Sequence, residues 1–184
     1  MKVWELRCAD VEHFSMIVPV GSDAEKFDVD GRALDWPSRP VVRYADTGSR
    51  RKKQAPLPVA DVAAIGGGAF VLSKRANAVL GPFLSQFGQL LEVQTAGGAE
   101  FRFFYNVTTL VKCVDVEASE KYSFGAVRNE VFYDINVPRV AAVFKDPSTV
   151  RTRMYTNDAG KELLQRLAAE NALKGLECGE PTRI

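Results

Sequence analysis

The chain opens on a two-residue period. Val3, Glu5 and Arg7 interleave with Trp4, Leu6 and Cys8, as in a strand with one covered face. Residues 14–20 are apolar and β-branched and predict a second strand, closing near Pro19 and Gly21. Residues 41–44 predict a short third strand, and Phe70-Val71-Leu72 another. The period then changes to 3.6. Behind a Ser73 N-cap, the residues Ala76, Val79, Leu80, Phe83, Leu84 and Phe87 fall on one face and predict a helix over about 74–87. Pro82 lies inside it. Its ring collides with the carbonyl four residues back, so the helix is expected to break there.

Residues 90–95 and 101–107 predict two strands joined at Gly97-Gly98. A two-residue loop sets Gln94 against Phe101 and Glu92 against Phe103. An odd-length loop matches Val93 and Leu91 to the aromatic positions instead, and hydrophobic matching favours it. Strand propensity continues over 108–114 and 127–137, with shorter strands at 140–144 and 151–156. A last helix over 158–172 starts at Asn157 or Asp158. Its apolar stripe is Ala159, Leu163, Leu164, Leu167 and Ala168, and Glu162 can pair with Arg166 four residues on. Gly175 stands where a left-handed residue commonly ends a helix. The sum is an α+β fold with a mainly antiparallel sheet and two main helical segments. The polar stretch 46–55 suggests an N-terminal lobe over 1–57 ahead of an α+β domain over 58–184.

Composition changes this picture little. Hydrophobic residues make up 46% and charged residues 26%, enough for a core without staples. The 24 Lys and Arg against 23 Asp and Glu leave a net charge of +1, without the basic excess of a dedicated nucleic-acid binder. Cys8, Cys113 and Cys178 are far apart and odd in number, which points to free thiols rather than disulfides or zinc. No secretory leader is visible at the N-terminus, and no apolar run has the length of a membrane span, so a cytoplasmic location is expected.

Candidate chemistry is sparse. Gly66-Gly67-Gly68 lacks the Lys and Ser or Thr of a phosphate loop and reads as a flexible turn. His13 is the sole histidine and has no glycine-flanked nucleophile near it. Asp28-Val29-Asp30-Gly31 lacks calcium-loop spacing and reads as an acidic solvated turn. Arg50-Arg51-Lys52-Lys53 is a concentrated positive patch without interleaved aromatic residues. No cofactor and no catalytic couple are expected.

From Phe70 onward a further pattern emerges. Phe70-Val71-Leu72-Ser73 precedes a Pro-interrupted helix. There follow Leu90-Leu91-Glu92-Val93, Phe103-Phe104-Tyr105-Asn106-Val107-Thr108, Cys113-Val114-Asp115, Ser119, Val143-Phe144-Lys145 and Met154-Tyr155-Thr156. An amphipathic helix and Leu173-Lys174-Gly175-Leu176-Glu177 close the chain. This order resembles the immunity-protein-eleven family of bacterial polymorphic-toxin systems, over roughly the C-terminal two thirds. That family's usual ending has an aromatic residue soon after the Gly-Leu pair, where this chain has Glu177-Cys178-Gly179.

The resemblance implies a non-enzymatic protein that neutralises a cognate toxin by occluding it. Trp36, Arg43 and Tyr44 are the candidate anchors. Arg50, Arg51, Lys52 and Lys53, with Asp28 and Asp30, are the candidate steering contacts. The rival expectations are an enzyme with a carboxylate-lined cleft and a small nucleic-acid module built on residues 50–53.

Overall fold

A computed structural model describes residues 1–8, 13–45, 57–98 and 100–180. Its elements are β1 (Val3–Cys8), β2 (Met16–Pro19), β3 (Val41–Ala45), β4 (Val62–Gly66), β5 (Ala69–Leu72), α1 (Lys74–Leu84), β6 (Gly88–Thr95), β7 (Phe101–Val107), β8 (Glu120–Lys121), β9 (Val127–Asn129), β10 (Val143–Phe144), β11 (Tyr155–Asn157), α2 (Asp158–Glu170) and β12 (Leu176–Gly179). One sheet has the order β2-β3-β6-β7-β5-β4, a second β10-β11-β1-β12, and β8 and β9 form a separate ribbon. Within these sheets only β3 and β6 pair in parallel. The fold is therefore α+β and mainly antiparallel.

The N-terminal third is shared between the sheets. β1 lies inside the second sheet, between β11 and β12 from the far end of the chain, while β2 and β3 extend the first. Residues 1–57 thus contribute strands to both sheets.

Three apolar clusters hold these layers. Phe70, Leu72, Tyr105 and Val107 from the large sheet meet Leu80 and Leu84 of α1, Leu164 of α2, and Leu6 and Val143 of the small sheet. On the other face of the large sheet, Val71, Val93, Phe104 and Val42 are covered by Phe27, Leu34 and Trp36. On the other face of the small sheet, Val3, Phe144 and Tyr155 pack on Cys113, Val114 and Val137. Both sheets are therefore covered on both faces, and this explains where the sequence pattern misleads.

The β6–β7 register is one such place. Gln94 pairs with Phe101, Val93 with Arg102, Glu92 with Phe103 and Leu91 with Phe104, so the polar-to-aromatic register prevails over the odd one. It puts Val93 and Phe104 into the same buried layer. Phe101 is left 44% exposed under the Arg39 guanidinium, and Arg102 goes inside. Arg102 is satisfied there by the Tyr44 hydroxyl at 3.0 Å and the Ala60 carbonyl at 3.0 Å.

The first helix also differs from expectation. α1 is one uninterrupted helix capped by Ser73, whose Oγ accepts the Ala76 N–H at 3.1 Å. Pro82 sits in the last turn with its ring exposed, and the ladder continues past it from Ser85 N–H to the Gly81 carbonyl. The helix stops at Leu84, short of residue 87, because Gln86 and Phe87 turn back to Phe83 and Leu84 with three-residue bonds. Residues 108–114 form no strand and bridge only at Leu110 and Val114, and of 127–137 only β9 joins a ladder. The glycine triad turns β4 into β5. A Cβ on Gly68, at φ +71°, would meet the backbone of Arg151 and Arg153 at 3.2 Å, so close approach as well as turning requires glycine.

α2 ends in a double reverse bond. Leu173 N–H reaches the Ala168 carbonyl at 2.9 Å and Ala172 N–H the Ala169 carbonyl at 3.1 Å. This is a Schellman ending, and its left-handed position is held by Ala172, at φ 49°, rather than by Gly175. Gly175 is also left-handed, at φ +96°, but serves a tight approach to β4. A Cβ there would fall 2.1 Å from the Val62 carbonyl.

Candidate functional site

A buried polar group gathers around Arg153. Paired residues on neighbouring strands share a face, so the Glu5–Tyr155 register puts both side chains on one side of the small sheet. Arg153, two residues before Tyr155, joins them there. Its Nη1 lies 2.9 Å from Glu5, its Nε 2.6 Å from Glu130, and its Nη2 donates to the Arg128 carbonyl at 3.0 Å. The side chains of Arg153, Glu5 and Glu130 are 10%, 13% and 0% exposed. One guanidinium thus serves two carboxylates.

The Tyr155 hydroxyl donates to Glu130 at 3.0 Å and lies 2.8 Å from Thr149 Oγ1. Burial raises the Glu130 carboxyl above its usual range, against the opposing pull of Arg153. Burial raises the Tyr155 hydroxyl strongly, and the Glu130 charge adds to it.

Two cavities flank this group. One, of 470 Å³, is lined by Lys2, Val3, Asn129, Glu130, Phe132 and Asp134 among others. The other, of 530 Å³, is lined by Glu5, Arg153, Thr149 and Thr152 together with the aromatic pair Tyr122 and Phe124. Glu130 lines only the first and Arg153 only the second, so their ion pair forms part of the wall between them.

Around the cavity-lining residues Phe132 and Asp134, large apolar side chains are exposed. Ile135 is 92% exposed and Val140 75%, with Val131 and Tyr133 also outward. The segment is fixed despite having little regular structure. Tyr133 N–H donates to the Cys113 carbonyl at 2.7 Å, Asn136 Nδ2 to the Lys112 carbonyl at 2.7 Å and Asn157 Nδ2 to the Pro138 carbonyl at 2.6 Å. These bonds hold large apolar side chains in water, which costs free energy unless a partner covers them.

The residues singled out in the sequence do not form one patch among those described. Trp36 is half-buried against Phe27 and Phe104, and its indole N–H goes to the Lys26 carbonyl at 2.9 Å. The Tyr44 hydroxyl donates to Glu100 at 2.7 Å and accepts from Arg102. Arg43 is exposed and projects to the opposite face of the sheet from Tyr44. Asp28 pairs with Arg151, and Asp30 with Arg32 at 3.6 Å. Arg50, Arg51, Lys52 and Lys53 lie outside the described residues.

Sequence reading missed the Arg153 group because its acids are 125 positions apart in the chain, at Glu5 and Glu130. It also missed Lys145, fully buried, whose only early sign is its place directly after Val143-Phe144.

Among the described residues, no three His, Cys, Asp or Glu side chains gather as a metal site, and the cysteines are free thiols. No helix among them is long and apolar enough to cross a membrane. No protein-family model and no curated protein matches this chain.

Proposed function

We propose that this chain is an immunity protein that binds a cognate bacterial toxin in the cytoplasm and neutralises it by steric occlusion. The observation that carries the reading is the fixed apolar surface of Val131, Tyr133, Ile135 and Val140. An occluding protein needs a surface that is already ordered, so that little binding energy is lost in ordering it. It also needs a few large side chains to act as anchors. This segment has both properties, and the resemblance of residues 70–177 to the immunity-protein-eleven family supplies the kind of partner. Trp36 and Tyr44, committed to internal contacts, act on this reading as support for the large sheet.

The test is growth. Cells making the product of the neighbouring gene, once that product is known to be toxic, are expected to recover when this chain is co-expressed. Continued growth arrest, with both proteins folded and abundant, would overturn the pairing.

A second reading has one specific observation in its favour. Glu130 carries a carboxyl that burial raises, in a residue that lines a cavity, a feature shared with general acids. An enzymatic route to protection requires that Glu130→Gln abolish rescue while leaving any complex intact. Occlusion requires rescue and complex formation to rise and fall together.

A further inference from the structure

The 530 Å³ cavity, lined by the β8–β9 ribbon and the turn over 147–153, carries two exposed groups of complementary chemistry. The first is aromatic. Tyr122 and Phe124, at the tip of the ribbon, stack at 7° with ring centroids 5.1 Å apart. The Arg128 guanidinium lies 5.8 Å from the Tyr122 ring. Tyr122 N–H donates to the Ala126 carbonyl at 2.8 Å and Gly125 N–H to the Tyr122 carbonyl at 2.9 Å, which fixes the tip. Phe124 is nevertheless 77% exposed, so an ordered stack ends in water. Both rings line the cavity.

The second group is a cation. The hydroxyls of the turn are committed inside the chain. Ser148 Oγ donates to Asp146 at 2.6 Å, Thr152 Oγ1 donates to the Thr149 carbonyl at 3.1 Å, and Thr149 Oγ1 meets the Tyr155 hydroxyl. The Arg153 guanidinium is divided between Glu5, Glu130 and the Arg128 carbonyl. Of the charged residues that line the cavity, Glu5 and Arg153 are largely buried, whereas the Arg151 side chain is 61% exposed. Its pair with Asp28 runs through Nη1, so a guanidinium with five N–H groups retains donors.

An open ring at the end of a stack and an exposed guanidinium match a ligand that is flat at one end and anionic at the other. The volume falls within the range of about 300–1,000 Å³ common to small-ligand pockets. One exposed cation in the lining suits a single phosphate rather than the repeated phosphates of a nucleic-acid strand.

We propose that this cavity binds a nucleoside monophosphate, the base extending the Tyr122–Phe124 stack and the phosphate accepting from Arg151. None of the residues proposed to meet the toxin, Val131, Tyr133, Ile135 and Val140, lines this cavity, and the inference does not rest on that reading.

Adenosine monophosphate is the probe. In amide-resolved NMR titrations of the whole chain it is expected to shift the signals of Tyr122, Phe124 and Arg151. Adenosine, which lacks the phosphate, and ribose phosphate, which lacks the base, are each expected to bind at least about tenfold more weakly. Phe124→Ala and Arg151→Gln alter exposed side chains, so both variants are expected to fold. Each should weaken binding of the mononucleotide by about tenfold, the scale of one stacked base or one charged hydrogen bond.

Four results overturn the proposal. Adenosine monophosphate leaves those signals in place. Adenosine or ribose phosphate binds as tightly as the mononucleotide, meaning that one half of the site is idle. Either folded variant binds the mononucleotide as tightly as the unaltered chain. A short oligoadenylate binds far more tightly than the mononucleotide, meaning that the ligand is a nucleic-acid strand. None of these depends on the toxin, so this proposal can fail while growth rescue succeeds, and the reverse.

Discussion

Lys145 donates its ammonium to the carbonyl of Val29, 116 residues earlier in the chain, at 3.0 Å. The lysine is fully buried, and its bond ties the segment before Trp36 to the start of the loop after β10. Burial lowers its pKa to about 8, against the opposing charges of Asp30 and Asp28, the latter shared with Arg151. The acidic turn of the sequence is thus in part a counter-charge for an internal lysine.

The sign of the pH effect follows. The folded-state pKa lies below the unfolded value of 10.5, so between about pH 8 and pH 10.5 the unfolded chain holds the extra proton. Stability from this group rises across that window as the buried charge is discharged. Lys145→Met is expected to remove that rise. Urea unfolding of both proteins across the window checks it; parallel profiles would count against the assignment.

Ala172 and Gly175 should respond in opposite directions to substitution. Ala172→Gly relieves a left-handed alanine at the end of α2, a strain of about 1–2 kcal/mol offset in part by the looser unfolded chain. A net gain of about 0.5–1 kcal/mol is expected, about 1–4 °C in Tm for a chain of this size. Gly175→Ala forces a Cβ against the Val62 carbonyl in a left-handed conformation and should cost more than about 2 kcal/mol. Thermal unfolding of the two variants decides both.

Arg153 is a cation shared by Glu5 and Glu130 in their buried group. Arg153→Met leaves both carboxylates without it, at a cost of about 3–5 kcal/mol near neutral pH. The loss should shrink on acidification. Glu130 already has a folded-state pKa above its unfolded value, so it gains stability as pH falls through that folded value towards the unfolded one. Removing the guanidinium raises the carboxyl further and widens the window. Chemical unfolding at neutral and mildly acidic pH measures the difference between the two proteins; a pH-independent penalty would contradict this account.

The regular elements with simple periodicity were legible from residue order. β1, β2, β3, β5 and both helices follow alternation or a 3.6 period, and Ser73 and Asn157 cap where their side-chain chemistry suggests. The failures have separate physical causes. Where a sheet is covered on both faces, hydrophobic matching no longer selects a register, so Arg102 could lie inside and Phe101 outside. β4 escaped notice because small residues Ala63 and Ala64 and the glycine turn carry little strand signal. The candidate site escaped because its parts come from β1, the stretch after β9 and the approach to β11. Only their pairing in space makes them a group. The sequence favoured Trp36 as an anchor because tryptophan suits interfaces and cores alike, and its neighbours Phe27 and Phe104 are distant in sequence.

The central claim is that the surface of Ile135 and Val140 meets the toxin. Both side chains are at least three-quarters exposed, so aspartate at these positions should change stability by no more than about 0.5 kcal/mol. The most direct measurement is the affinity of the purified neighbouring-gene product for this chain and for its Ile135→Asp/Val140→Asp variant. The account predicts a stoichiometric complex with the unaltered chain and about 10- to 100-fold weaker binding to the variant, as expected when charge replaces anchors in an interface centre. Equal affinities, with both proteins equally stable, would contradict it and move the interface to another face.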